Sequence, residues 1–142
     1  MRAAFFTDRG RFEIRDVPRP TPTPDEVLID VHACGICGSD LHFYAGSSPA
    51  PRVCPGHEIC GLVAAGSVAM EPGLAVVVEP LLGCDKCPRC QSGEPNLCPR
   101  LRILGGRVPG GFAEAVLVPV RAVYPLPERI DLDTAVLTEP LA

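Results

Sequence analysis

Nowhere in the 142 residues is there an apolar run long enough to cross a bilayer as a helix. The chain also opens without a secretory pattern: MRAAFFTDRGRF carries charges at once and has no apolar central segment. A basic face is missing too, because 13 Lys and Arg stand against 17 Asp and Glu, for a net charge of −4. These absences give the expectation of a cytoplasmic chain with reduced thiols that contacts neither membrane nor nucleic acid. No internal repeat and no low-complexity tract is present. No G-x-G-x-x-G follows a strand-like run, and the glycines of GGRVPGG at 105–111 lack that spacing and a following helix. A dinucleotide cradle is therefore not expected within these residues.

What is present is turn chemistry and short apolar runs. The 17 prolines and 14 glycines are scattered along the chain. Between them stand EVLIDVHAC, GLVAAG, LAVVVEP and FAEAVLVPV. In the first run Val27, Ile29 and Val31 alternate with Leu28, Asp30 and His32. The pattern predicts one mainly β domain, a barrel or sandwich, with few short helices. SDLHFYAG predicts a short helix capped by Ser39, and DLDTAVLTEPLA a helix beginning at Asp131 or Asp133. The proline-rich VPRPTPTPDE reads as a connector between strands.

Of eight cysteines, four fall in GCDKCPRCQSGEPNLCPR: Cys84, Cys87, Cys90 and Cys98. Four thiolates can enclose one tetrahedral zinc, and such a site has no position left for substrate. It is read as structural. The rivals are an iron–sulfur cluster, whose usual spacing places the fourth cysteine differently, and plain unliganded thiols.

A second constellation lies upstream in CGICGSDLH (34–42) and CPGHEICG (54–61). Cys37, His57 and Glu58, with Asp40 and His42 nearby, make a mixed donor set of the kind that suits a catalytic zinc with one open position. Gly35, Gly38, Gly56 and Gly61 are read as letting the backbone come close to an ion. Cys34, Cys54 and Cys60 are read as small buried residues. A Cys34/Cys37 knuckle and a Cys54/His57 pair stay open as alternatives. His32 is read as a structural histidine.

The motifs GICGSDLH, GHEICG, CDKCPRCQSGEPNLC and GGFAEAVLVP resemble, in order, those of the zinc-dependent medium-chain alcohol dehydrogenases, and within them the sorbitol and threonine dehydrogenase branch. The resemblance implies that residues 1–142 form a GroES-like catalytic domain, a distorted β-barrel with a structural-zinc lobe at about 81–100. The Rossmann domain of that family would lie outside this chain. Two zinc ions per chain are implied, one held by Cys84, Cys87, Cys90 and Cys98. The other would be held by Cys37, His57 and Glu58, with Glu139 in LTEPLA as a further ligand, direct or through water. The bland reading of Glu139 is an exposed helix residue, and Glu79 is read as a strand-end carboxylate.

The resemblance further implies that Asp40 accepts a hydrogen bond from His57. Ser39 would take the substrate hydroxyl proton, and His42 would pass it towards solvent. The implied activity is oxidation of a secondary alcohol or polyol, with hydride transfer to NAD or NADP. The alternative is a non-catalytic zinc-binding structural or interaction module. Full-length relatives would be homo-oligomers. GLAV at 73–76 departs from the family's usual run, and the preceding GSVAMEPG is shorter than usual. The segment 134–142 is expected to be poorly ordered or sticky without a second domain to pack on.

Overall fold

The structure is a computed structural model and describes residues 1–66 and 70–142. It is mainly β. An N-terminal antiparallel hairpin pairs β1 (Arg2–Phe6) with β2 (Phe12–Asp16). The central sheet uses β3 (Glu26–Gly35), β4 (Glu58–Gly66), β5 (Ala75–Val78), β8 (Ala115–Pro119) and β9 (Val123–Pro125). Its spatial order is β8-β3-β4-β5-β9, and every described pairing is antiparallel. A small pair, β6 (Leu81–Leu82) with β7 (Arg102–Ile103), brackets the four-cysteine segment. The helices are short: α1 (Gly38–Ala45), α2 (Pro88–Gln91), α3 (Leu132–Ala135) and α4 (Thr138–Leu141).

The β-branched runs form the strands because their side chains pack well on a pleated, buried surface. Val27, Ile29, Ile59, Val76, Val118 and Leu104 make the centre of the core. Each such side chain contributes about 1.5–3 kcal/mol on burial. The alternation expected of β3 holds only in part, since Leu28 is buried beside Val27 and Ile29. Two register shifts in β3, between Leu28 and Ile29 and between Val31 and Ala33, bend the strand that leads to Cys37.

The chain's first strand docks against the segment that leads into β8. Ala3 bridges to Ala113, and Ala4 N–H donates to the Phe112 carbonyl at 2.8 Å. Glu114 returns the link: its carboxylate accepts from Arg2 N–H at 2.9 Å and from Arg2 Nε at 2.8 Å.

Two expectations need correction. Helix α1 is capped by Cys37, not by Ser39, which lies inside the first turn. Asp40 reaches back to accept from the Cys37 N–H at 3.0 Å, so an aspartate does the capping that the serine was expected to do. At the other end, 134–142 is not a loose tail but carries two short helices packed on the sheet. Asp131 caps α3 by accepting from the Thr134 N–H at 2.7 Å. The Cys60 thiol donates to the Leu132 carbonyl at 3.1 Å, and Ala135 is fully buried. Leu137 and Leu141 nevertheless remain 53% and 82% exposed. The turn GSVAMEPG includes residues 67–69, which lie outside the described residues.

Candidate metal centre

Cys37 ends the loop after β3, and Glu58 is the first residue of β4. The segment before His57 is held in place by three backbone hydrogen bonds from a facing loop. Gly110 donates to the Cys54 carbonyl at 2.8 Å, Gly111 to Gly56 at 2.9 Å, and Phe112 to Pro55 at 2.9 Å. The result brings one donor atom from each of Cys37, His57 and Glu58 within 4.8 Å of one another. Glu58 is 8% exposed and Asp40 3% exposed. Burial pushes the Asp40 carboxyl up, while the Cys37 N–H and the nearby His57 pull the other way.

The glycines explain how these groups fit. A side chain at Gly35 would overlap the Glu58 carboxylate and lie 3.0 Å from its Cβ. Gly56, at φ +92°, would press a side chain into Phe112 and the Cys34 sulfur. Both glycines therefore serve close packing of protein on protein, rather than approach of backbone to an ion. The sequence places Gly35 beside an ion, whereas the fold places the Glu58 carboxylate there.

Other expected site residues stand around the cluster without joining it. Ser39 is half-buried in the first turn of α1. His42 is exposed, with Nδ1 3.2 Å from Ser47 Oγ. The hydrogen bond that Asp40 accepts among the described residues comes from Cys37, not from His57. Glu139 is half-buried on α4, outside the close trio. Burial raises its carboxyl, Glu58 and Glu79 add to that, and His57 opposes it. Glu79 follows β5 and accepts from the Leu81 N–H at 3.0 Å.

The spare cysteines behave as buried thiols. Burial pushes Cys34 up strongly and Cys54 up to about 11. Neither joins a three-donor group among the described residues. His32 is exposed and pairs with Asp133 at 2.7 Å.

The four-cysteine lobe is compact. Cys84 Sγ lies 4.0 Å from Cys90 Sγ, Cys90 3.5 Å from Cys87, and Cys87 3.8 Å from Cys98. Four sulfurs at 2.3 Å from one tetrahedral zinc would be about 3.8 Å apart, so the set fits a single ion. None of the eight thiols is in a disulfide. A second cysteine set, which the ferredoxin spacing would require, has no counterpart among the described residues.

A cavity of about 510 Å³ lies elsewhere, lined by apolar residues such as Val17, Leu82, Leu104, Val116 and Leu117. No residue of the trio lines it. Among the described residues no helix is long and apolar enough to cross a membrane.

Residues 23–128 match the alcohol dehydrogenase GroES-like domain. The chain belongs to this family. Its curled sheet, few short helices and cysteine lobe are the GroES-like distorted barrel. The domain is 40% identical to L-galactonate-5-dehydrogenase of Escherichia coli, over 87% of this chain and 37% of the relative. It is 38% identical to sorbitol dehydrogenase of Halalkalibacterium halodurans, over 94% of this chain and 40% of the relative. Among solved structures it is similar to a putative zinc-binding dehydrogenase of Sinorhizobium meliloti bound to NADP. That likeness has a TM-score of 0.87 and 40% identity, over 99% of this chain and 42% of the other. This GroES-like chain thus spans about two fifths of the length of these relatives.

Proposed function

We propose that residues 1–142 are the catalytic domain of a zinc-dependent oxidoreductase that oxidises a secondary alcohol or polyol, with NAD or NADP as hydride acceptor. The observation that carries this reading is the convergence of Cys37, His57 and Glu58 apart from the all-thiolate lobe. One thiolate, one imidazole and one carboxylate form a donor set suited to zinc with an open position. When bound there, zinc acts as a Lewis acid on the substrate oxygen. The closed lobe, about residues 81–100, would hold a second, structural zinc through Cys84, Cys87, Cys90 and Cys98.

The protein groups then divide the remaining work. Asp40 fixes the Cys37 backbone at the start of α1. Gly35 leaves the space in which the Glu58 carboxylate sits. Ser39 takes the substrate hydroxyl proton, and exposed His42 passes it to solvent. Glu139 adds negative charge near His57 and Glu58 and is a candidate further ligand. The nicotinamide would be held by a region outside residues 1–142, because no strand-to-helix glycine turn occurs among the described residues. The names of the relatives, a galactonate and a sorbitol dehydrogenase, favour polyols and sugar acids as the substrate class.

The test joins this chain to the dinucleotide-binding region of its protein and follows NAD and NADP reduction with polyols and sugar acids. Turnover that is lost in His57→Ala while the lobe keeps its zinc supports the reading. A zinc-loaded protein that binds no nicotinamide cofactor and oxidises none of these substrates would instead be a structural or interaction module.

A further inference from the structure

The four lobe sulfurs of Cys84, Cys87, Cys90 and Cys98 lie within 4.8 Å of one another, and one residue donates to both the first and the last of them in the sequence. Arg100 donates from its guanidinium to Cys84 Sγ at 3.2 Å and from its backbone N–H to Cys98 Sγ at 3.3 Å. Lys86, between Cys84 and Cys87, is exposed, and two other cations close to the lobe are engaged elsewhere. Arg89 pairs with Glu94 at 2.8 Å. Arg121 pairs with Asp85 at 2.5 Å and donates to the Gly83 carbonyl at 2.8 Å. Among the described residues, Arg100 is the cation that reaches a lobe sulfur.

The geometry points to Arg100 as the positioning residue that clamps the first and last cysteines of the lobe together and offsets the charge of the metal-loaded thiolates. Four thiolates around a divalent ion leave about two negative charges uncompensated. N–H groups aimed at the sulfurs, with a full positive charge behind one of them, form charge-assisted hydrogen bonds to metal-bound thiolates. Arginine suits the place because its charge is permanent and its donors lie in a fixed plane. The contact also joins two ligands that are far apart in sequence, so it resists opening of the loop between them. Arg121 works differently, because it ties the base of the lobe to the barrel without touching sulfur. The inference rests on the four-cysteine lobe being a zinc site.

The test uses the full chain loaded with zinc, and with cobalt in its place. The chelator-resistant metal should leave Arg100→Gln about tenfold faster than the parent, the lower end of the range for a lost outer partner, because the guanidinium is exposed. The thiolate-to-cobalt absorption band should shift in Arg100→Gln and shift less in Arg100→Lys. Arg121→Gln should leave that band in place, which a merely structural role for Arg100 would not distinguish. Release at the parent rate with an unshifted band overturns the inference. If Arg100→Gln does not fold, the band of Arg100→Lys decides: a partial shift supports the clamp and an unshifted band overturns it. A parent chain with no chelator-resistant metal overturns both the inference and the zinc reading of the lobe, an outcome distinct from the first.

Discussion

The carboxylate of Glu58 occupies the space that a side chain at Gly35 would fill. Gly35→Ala should therefore displace Glu58, a strand-initiating residue whose neighbours cannot all move with it. The expected outcome is loss of metal from the Cys37, His57 and Glu58 site, with the lobe metal retained. Zinc analysis should fall from two equivalents to one. Two equivalents in a folded variant would show that the carboxylate is not needed at that position.

Chelator titration should separate the two sites. The all-thiolate lobe is closed and soft, while the trio has harder donors and an open position, so the trio should lose zinc first. Cys87→Ser should lower stability sharply, because structural zinc contributes about 10 kcal/mol or more of folding free energy. His57→Ala should leave the circular dichroism spectrum and melting behaviour nearly unchanged. The reverse pattern would mean that the two sites have been exchanged.

Glu114 gives a pH dependence with a definite sign. The Arg2 backbone and side-chain donors hold its carboxyl below the usual glutamate value of about 4.5. The folded state therefore gains stability from Glu114 fully above that value, and loses it as pH falls through the lower folded value. Glu114→Gln should be less stable than the parent near neutrality, and the gap should close progressively below about pH 4.5. Urea midpoints at low salt, compared at equal metal loading, measure the gap. A gap that is constant down to strongly acid pH would remove the ionised carboxylate from the account.

Ile29 sits at the centre of the core with no exposed surface. Ile29→Ala should cost about 2–5 kcal/mol, the range for opening a cavity in a packed interior. Denaturant unfolding with an unchanged slope is the measurement. A cost under about 1 kcal/mol would mean that the sheet collapses into the gap.

Much of this was legible beforehand. The runs around Val27, Val63, Val76 and Val116 announced four of the five strands in the central sheet, because β-branched residues in short blocks between turns have few other uses. The cysteine spacing announced the lobe. The hairpin of β1 and β2 was not announced: Phe12 and Ile14 do alternate with Glu13 and Arg15, but the run is short and β2 is exposed throughout. The cap of α1 was misread because serine is the commoner capping residue, and the return of the Asp40 carboxylate to the chain cannot be seen from residue type. The place of Glu139 depends on how α4 docks on β4 and β5, a tertiary matter with no local signal. Arg100 follows the last lobe cysteine closely, but only the folded lobe brings it back to Cys84.

The pairing of Arg2 with Glu114 spans 112 residues. At about 5–20 residues per second, a ribosome exposes the first strand roughly 6 to 22 s before its partner is made. The cysteine lobe needs no such wait, because all of its ligands emerge between Cys84 and Cys98. During synthesis the lobe is thus ready to capture metal while the amino-terminal hairpin is still unpartnered. That hairpin carries Phe5, Phe6 and Phe12, so aromatic side chains wait on the nascent chain until Phe112 to Glu114 are made.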